Sequence, residues 1–157
     1  PARAPVSEVL AGVARLLRVE ARHRDVELVV DCAPGEAAAG LAAPRLKQVL
    51  LNLCLNALQA MPRGGRLTLR ARVQGDAAEI EVEDTGAGIP PDVLPRIFEM
   101  HFTTRAEGSG LGLAICRRLV EEVGGVIDVS TRVGRGTTFR ILLPLAGSLL
   151  LETTTVA

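Results

Sequence analysis

At 157 residues, with hydrophobic residues at 48% and charged residues at 23%, the chain has the length and composition of a single globular domain. Its 18 basic and 18 acidic side chains cancel, which argues against a nucleic-acid binder working through a basic field, and aromatic content of 2% argues against base stacking on the protein. Three separated cysteines and two histidines give no metal spacing and read as the reduced thiols of a cytoplasmic protein, and no apolar run approaches the roughly 20 residues of a membrane span.

Taken in order, residues 6–22 carry apolar positions at helical spacing, with Pro5 or Ser7 as the start signal. Val26 to Val30 reads as a strand stopped by the turn at Pro34-Gly35, and Ala37 to Leu41 as a second short strand. Pro44 opens the clearest helix, which is apolar around most of its circumference. Gln48, Asn52 and Asn56 interrupt it at four-residue steps and therefore share a face. Arg66–Val73 and Ala78–Glu83 alternate apolar and polar residues across Gln74-Gly75-Asp76, the pattern of a hairpin with one wet face. Residues 84–108 form a long connection with a short helical piece near Asp92–Phe98, and a connection of that length reads as a functional lid. Leu111–Val123 is a helix; Val126–Thr131 and Thr137–Leu143 form a last hairpin. Residues 146–157 read as a loosely held tail. A chain opening on Pro1 reads as part of a longer protein. The sum is an α+β two-layer sandwich: a mixed, mostly antiparallel sheet of about five strands covered by three helices.

The chemistry concentrates in residues 84–112. Asp84 ends a strand beside Gly86 and Gly88, and Gly108-Ser109-Gly110-Leu111-Gly112 opens a helix. A glycine-rich loop at a helix start aims N–H groups and the positive dipole end at an anion. Two roles are open to Asp84. It caps its own turn, or it accepts a hydrogen bond from the exocyclic amino group of adenine, a contact that guanine's carbonyl refuses. Likewise Asn52 and Asn56 either satisfy buried neighbours or offer amide oxygens to the Mg²⁺ that accompanies a triphosphate. Arg105, after Thr103-Thr104, either neutralises a terminal phosphate or is a solvated surface charge. The spacing is neither a dinucleotide-binding nor a Walker pattern.

Together these segments resemble the catalytic, ATP-binding domain of bacterial sensor histidine kinases, within the ATPases that include gyrase B, Hsp90 and MutL. Gln48 to Ala60 resembles the N box and Asp84-Thr-Gly-Ala-Gly-Ile-Pro90 the G1 box. Ile97-Phe98-Glu99 with Phe102-Thr103-Thr104-Arg105 resembles the F box, Gly108 to Gly112 the G2 box, and Gly134-Arg-Gly-Thr137-Thr-Phe139 the final turn. The resemblance implies a Bergerat-type fold that binds ATP and Mg²⁺, with a lid at 89–108. Asp84 would read adenine, Asn56 hold the metal, and Asn52 line the phosphates. Gly108, Ser109, Gly110, Leu111 and Gly112 would wrap those phosphates, and Thr137 would help to fix Asp84. Ala60, Gly86, Gly88, Ile89, Thr103, Thr104 and Arg105 complete the implied nucleotide contacts, with Asn52, Asn56 and Arg105 nearest the chemistry.

Gln59 stands where many members carry Lys, and Met100-His101 where they carry Pro-Phe. No His-Glu-x-x-x-Pro motif occurs, so the target histidine would lie on a separate dimerisation domain, with residues 1–22 following it and a response regulator acting through it. The resemblance implies no contact with nucleic acid, and none with a membrane by this chain. Two alternatives remain at this point: an ATP-sensing module without catalysis, and an ATPase that activates water. Asn52, standing where such ATPases carry Glu, weighs against the second.

Overall fold

A computed structural model describes residues 3–33, 37–100 and 112–146. Its elements are helix α1 (Val6–His23), strand β1 (Val26–Cys32), helix α2 (Ala43–Gln59), strands β2 (Gly65–Gln74) and β3 (Ala77–Asp84), helix α3 (Gly112–Glu122), and strands β4 (Val126–Arg132) and β5 (Gly136–Pro144). The strands form one sheet in the order β1-β2-β3-β5-β4. The β1–β2 pair is parallel and every other pair antiparallel. The three helices and five-stranded mixed sheet bear out the expected sandwich.

Side-chain alternation divides the sheet into two faces. One carries Leu67, Leu69, Ile80, Val82, Phe139, Ile141 and Leu143, all buried. Against it pack Leu10, Val13 and Leu17 of α1, Leu46, Val49, Leu50, Leu53 and Leu58 of α2, and Leu119 and Val120 of α3. Burying a Leu or Ile side chain stabilises by roughly 1.5–3 kcal/mol, so this aliphatic layer supplies the core that three phenylalanines could not. Two of those three meet edge-to-face, Phe98 and Phe139, with centroids 6.3 Å apart, and the Arg117 guanidinium lies 5.5 Å from the Phe98 centroid. Phe98 thereby ties the segment after β3 to β5 and α3.

The opposite face is wet. Asp31, Arg70, Glu81, Arg140 and Asp128 stand in register, one per strand, as an alternating row. Arg70 binds Glu83 at 2.9 Å, and Arg140 binds both Asp128 and Glu79 at 3.0 Å. Glu79 is 3% exposed and also meets Arg72 at 2.7 Å. Burial pushes its carboxyl up, but hydrogen bonds to Arg140 and Arg72 outweigh this and hold it below its ordinary value of 4.5. A carboxyl depressed on folding stabilises the native state above its unfolded pKa, and the contribution is lost as pH falls through the folded pKa. The denaturation midpoint of the wild type should therefore fall more steeply below about pH 4.5 than that of Glu79→Gln. Parallel slopes for the two proteins would show that Glu79 carries no such linkage.

Two expectations change. Residues 37–41 form no strand: Ala38 bridges Pro5 and Ala39 bridges Leu145, one residue each. The segment instead serves as a clasp, because Ala37 O accepts from Val6 N at 2.9 Å at the start of α1 and Ala38 O accepts from Ala146 N at 3.0 Å. The first of these bonds satisfies an orphan N–H of a helix that has no side-chain cap. The helical piece at 92–98 contracts to a single 3-10 turn, Leu94–Arg96, since Pro95 cannot continue an α-helical ladder.

Candidate functional site

The site is built where the end of β3 meets the end of α2 and the β4–β5 hairpin. Asp84 is the last residue of β3 and lies on the core face, 5% exposed. A buried carboxylate needs partners. Its Oδ1 accepts from Gly86 N at 2.8 Å and from Thr137 N at 3.3 Å, the latter from the residue opposite it in β5. Two N–H donors on one oxygen fix the plane of the group.

The turn after Asp84 is clamped from both sides. Ala87 N donates to Ala60 O at 3.2 Å at the end of α2, and Gly134 N donates to Ala87 O at 2.8 Å from the hairpin. Ile89 N donates to Thr131 Oγ1 at 2.9 Å. A Cβ on Gly86 would collide with the Ala60 carbonyl, and one on Gly88 (φ 77°) with the Arg132 carbonyl. Thr85 Oγ1 accepts from Arg66 N at 2.9 Å and lies 3.7 Å from Met61 Sδ. Gly86 is thus required by close backbone approach, and Gly88 by close approach and by its conformation.

Along α2, Asn56 stands one turn and Asn52 two turns before Ala60, which places Asn52 about 12 Å along the axis from the Asp84 end. Both are half-buried, whereas Gln48, on the same face, is exposed. Asn52 lies against the start of α3, its Cγ 4.0 Å from where a Cβ on Gly112 would sit. Burial pushes the Cys116 thiol up to about 12, against an opposing hydrogen bond from the Asn52 side chain. Cys116 Sγ in turn donates to Val49 O at 3.6 Å.

Asp84, Gly86 and Thr137 are thus joined by hydrogen bonds at the end of β3, Ile89 is tied to the β4–β5 hairpin, Ala60 meets the Asp84 turn at the end of α2, and Asn52 meets Gly112 at the start of α3, with Asn56 between Asn52 and Ala60 along α2. Thr103, Thr104, Arg105, Gly108, Ser109, Gly110 and Leu111 lie outside the described residues. Among the described residues, no cluster of three or more His, Cys, Asp or Glu could hold a metal by itself. Any cation here would draw its remaining ligands from a bound oxyanion and water, which suits Mg²⁺. Thr131 was missed in the sequence. The signal was available: it is a polar residue on the half-buried face of β4, after Ile127 and Val129.

Residues 42–147 match the family described as Histidine kinase-, DNA gyrase B-, and HSP90-like ATPase. The chain belongs to this ATPase family. Among curated relatives, the sensor kinase CckA of Brucella abortus is 41% identical over 160 residues, covering 88% of this chain and 16% of its own. The catalytic domain of histidine kinase ThkA, in a nucleotide-free form, superposes with a TM-score of 0.82 at 28% identity, covering 90% of this chain and 93% of that one. Full-length ShkA in complex with AMPPNP superposes at 0.80 and 34% identity, covering 92% of this chain and 31% of its own. This ATPase-family domain spans between 16% and 31% of the length of the first curated relatives it matches. Among the described residues, no helix is long and apolar enough to cross a membrane.

Proposed function

We propose that this ATPase-family domain is the catalytic domain of a two-component sensor histidine kinase, holding Mg·ATP and presenting the γ-phosphate to a histidine on a separate domain. The observation that carries the reading is Asp84: a buried carboxylate at a strand end, locked by two backbone N–H groups, beside a helix bearing two half-buried asparagines. An ionised carboxylate offers acceptors alone, which matches the amino group of adenine and opposes the carbonyl of guanine. AMPPNP in ShkA is an analogue of ATP, which supports the same ligand class here.

The side chains divide the work by position. Asp84 would orient the purine, held by a turn whose Gly86 and Gly88 pack against the backbone of Ala60 and Arg132. Asn56 would hold Mg²⁺ by its amide oxygen, and Asn52 would line the phosphates. Mg²⁺ would neutralise charge on the phosphate oxygens. By resemblance, Thr103, Thr104, Arg105 and the glycines at 108, 110 and 112 would complete the phosphate contacts, and Arg105 would neutralise the developing charge.

Neither Asn52 nor Asn56 is a base, so the domain is built to position a phosphoryl group and does not activate water. The nucleophile is the imidazole of the histidine-bearing domain. Its nitrogen bonds to the γ-phosphorus as the bond to the β-phosphate oxygen breaks and ADP leaves. A response regulator would then take the phosphoryl group from that domain.

Mixing the chain with a separately supplied histidine-bearing helical hairpin and γ-labelled ATP should place acid-labile label on the hairpin. Bound ATP without label transfer would reduce the domain to an ATP sensor, and rapid phosphate release without a hairpin would make it a water-activating ATPase. Asn56→Ala should weaken nucleotide binding by on the order of tenfold in Mg²⁺ and change it little in chelator. An identical metal titration for the two proteins would remove Asn56 from the metal role.

A further inference from the structure

The Thr131 hydroxyl makes three contacts. It accepts from Ile89 N at 2.9 Å, lies 3.1 Å from Gly136 O, and lies 2.9 Å from Thr137 Oγ1. A hydroxyl has one proton and two acceptor positions. A carbonyl oxygen only accepts, so the Thr131 proton goes to Gly136 O. The bond between the two threonines must then be donated by Thr137. Thr131 is saturated by this assignment, and the single proton of Thr137 is spent on it. Towards anything else Thr137 Oγ1 presents lone pairs.

We infer that Thr131 is a specificity-positioning residue: by consuming the Thr137 proton and holding Ile89 N, it turns the Thr137 hydroxyl into an obligate acceptor beside the Asp84 carboxylate. The pairing is set by register, since Thr131 stands opposite Thr137 in the β4–β5 ladder and Thr137 opposite Asp84 in the β5–β3 ladder. The same Thr137 residue gives its backbone N–H to Asp84 Oδ1, so hydroxyl and carboxylate share one rigid element. Two acceptors side by side favour a ligand edge that donates, directly or through a water, and disfavour one presenting a carbonyl. Removing the Thr131 hydroxyl frees the Thr137 proton, which can then turn to a carbonyl. This deepens the adenine reading given above and rests on it.

The test compares the affinities of ATP and inosine triphosphate, which exchange an amino group for a carbonyl at C6 and, with it, an acceptor N1 for an N1–H donor, for the wild type and for Thr131→Val and Thr131→Ser. The wild type should prefer ATP. Thr131→Val should lower the ratio of the two affinities about fivefold to tenfold, and Thr131→Ser should restore it. A purely structural role would weaken both nucleotides alike and leave the ratio unchanged, and that result overturns the inference while leaving the adenine reading intact. A wild type that does not distinguish the two nucleotides overturns the adenine reading and this inference with it. If Thr131→Val does not fold, Thr137→Val deletes the acceptor itself. It must then weaken ATP and spare inosine triphosphate; equal weakening overturns the proposal.

Discussion

Asp84→Asn should abolish measurable ATP binding, weakening it by on the order of a hundredfold or more, with little change in fold stability. The scaffold dictates which way the new amide faces. Asp84 Oδ1 accepts from Gly86 N and Thr137 N, and an Asn oxygen must take over that place, because an NH₂ there would oppose two donors. The amide NH₂ is then forced to the other carboxylate position, where it meets the adenine amino group donor to donor. The substitution therefore removes a charge-assisted bond and installs a repulsive pair at a residue that is 5% exposed. The same rotation places a donor where guanine or hypoxanthine offers an acceptor, so any residual binding should shift toward those bases. Calorimetric titration of both proteins checks this, and unchanged ATP affinity would mean that Asp84 only caps its turn.

Gly136→Ala should be the most damaging small substitution, costing on the order of 3 kcal/mol of stability together with nucleotide binding. Two effects combine there. Its φ of 131° lies in a region that L side chains rarely adopt, and an added Cβ would strike the backbone carbonyl of Asp84 and come within 3.0 Å of Thr85 Cα. Neither neighbour is a flexible side-chain tip, so β5 or the end of β3 must move, and the carboxylate moves with it. Gly134 supplies the control. Its φ is 79°, but nothing lies within 4 Å of where an added Cβ would sit, so Gly134→Ala carries conformational strain alone, about 1 kcal/mol. Chemical denaturation of the three proteins separates collision from strain, and equal losses at 134 and 136 would refute the collision.

The elements with strong periodicity were legible in the sequence for a plain reason. The helical spacing of Val6 to Leu17 and the leucines of residues 46–58 reflect single buried faces, and alternation in 66–83 reflects a sheet with one ionic side. Residues 37–41 misled because small apolar residues beside a glycine look like a strand, while their pairing depends on Pro5 and Leu145 far along the chain.

Within the site, glycine punctuation betrayed Asp84 and its turn, since few structures other than close backbone approach demand that spacing. Thr131 carried the weaker signal of one polar residue on a half-buried strand face. Threonine is an ordinary strand former, and its role appears when the registers of two ladders bring Thr131, Thr137 and Asp84 into line. The resemblance assigned to Thr137 the fixing of Asp84. The fixing contact in the structure is the backbone N–H of Thr137, while its hydroxyl goes to Thr131.

The most direct measurement is calorimetric titration of the 157-residue chain with ATP and with GTP, each in Mg²⁺ and in chelator. ATP should bind saturably, GTP about a hundredfold or more weakly, and ATP affinity should fall when Mg²⁺ is removed. Equal affinity for the two nucleotides, or no binding of ATP in Mg²⁺, would contradict a nucleotide site organised around Asp84.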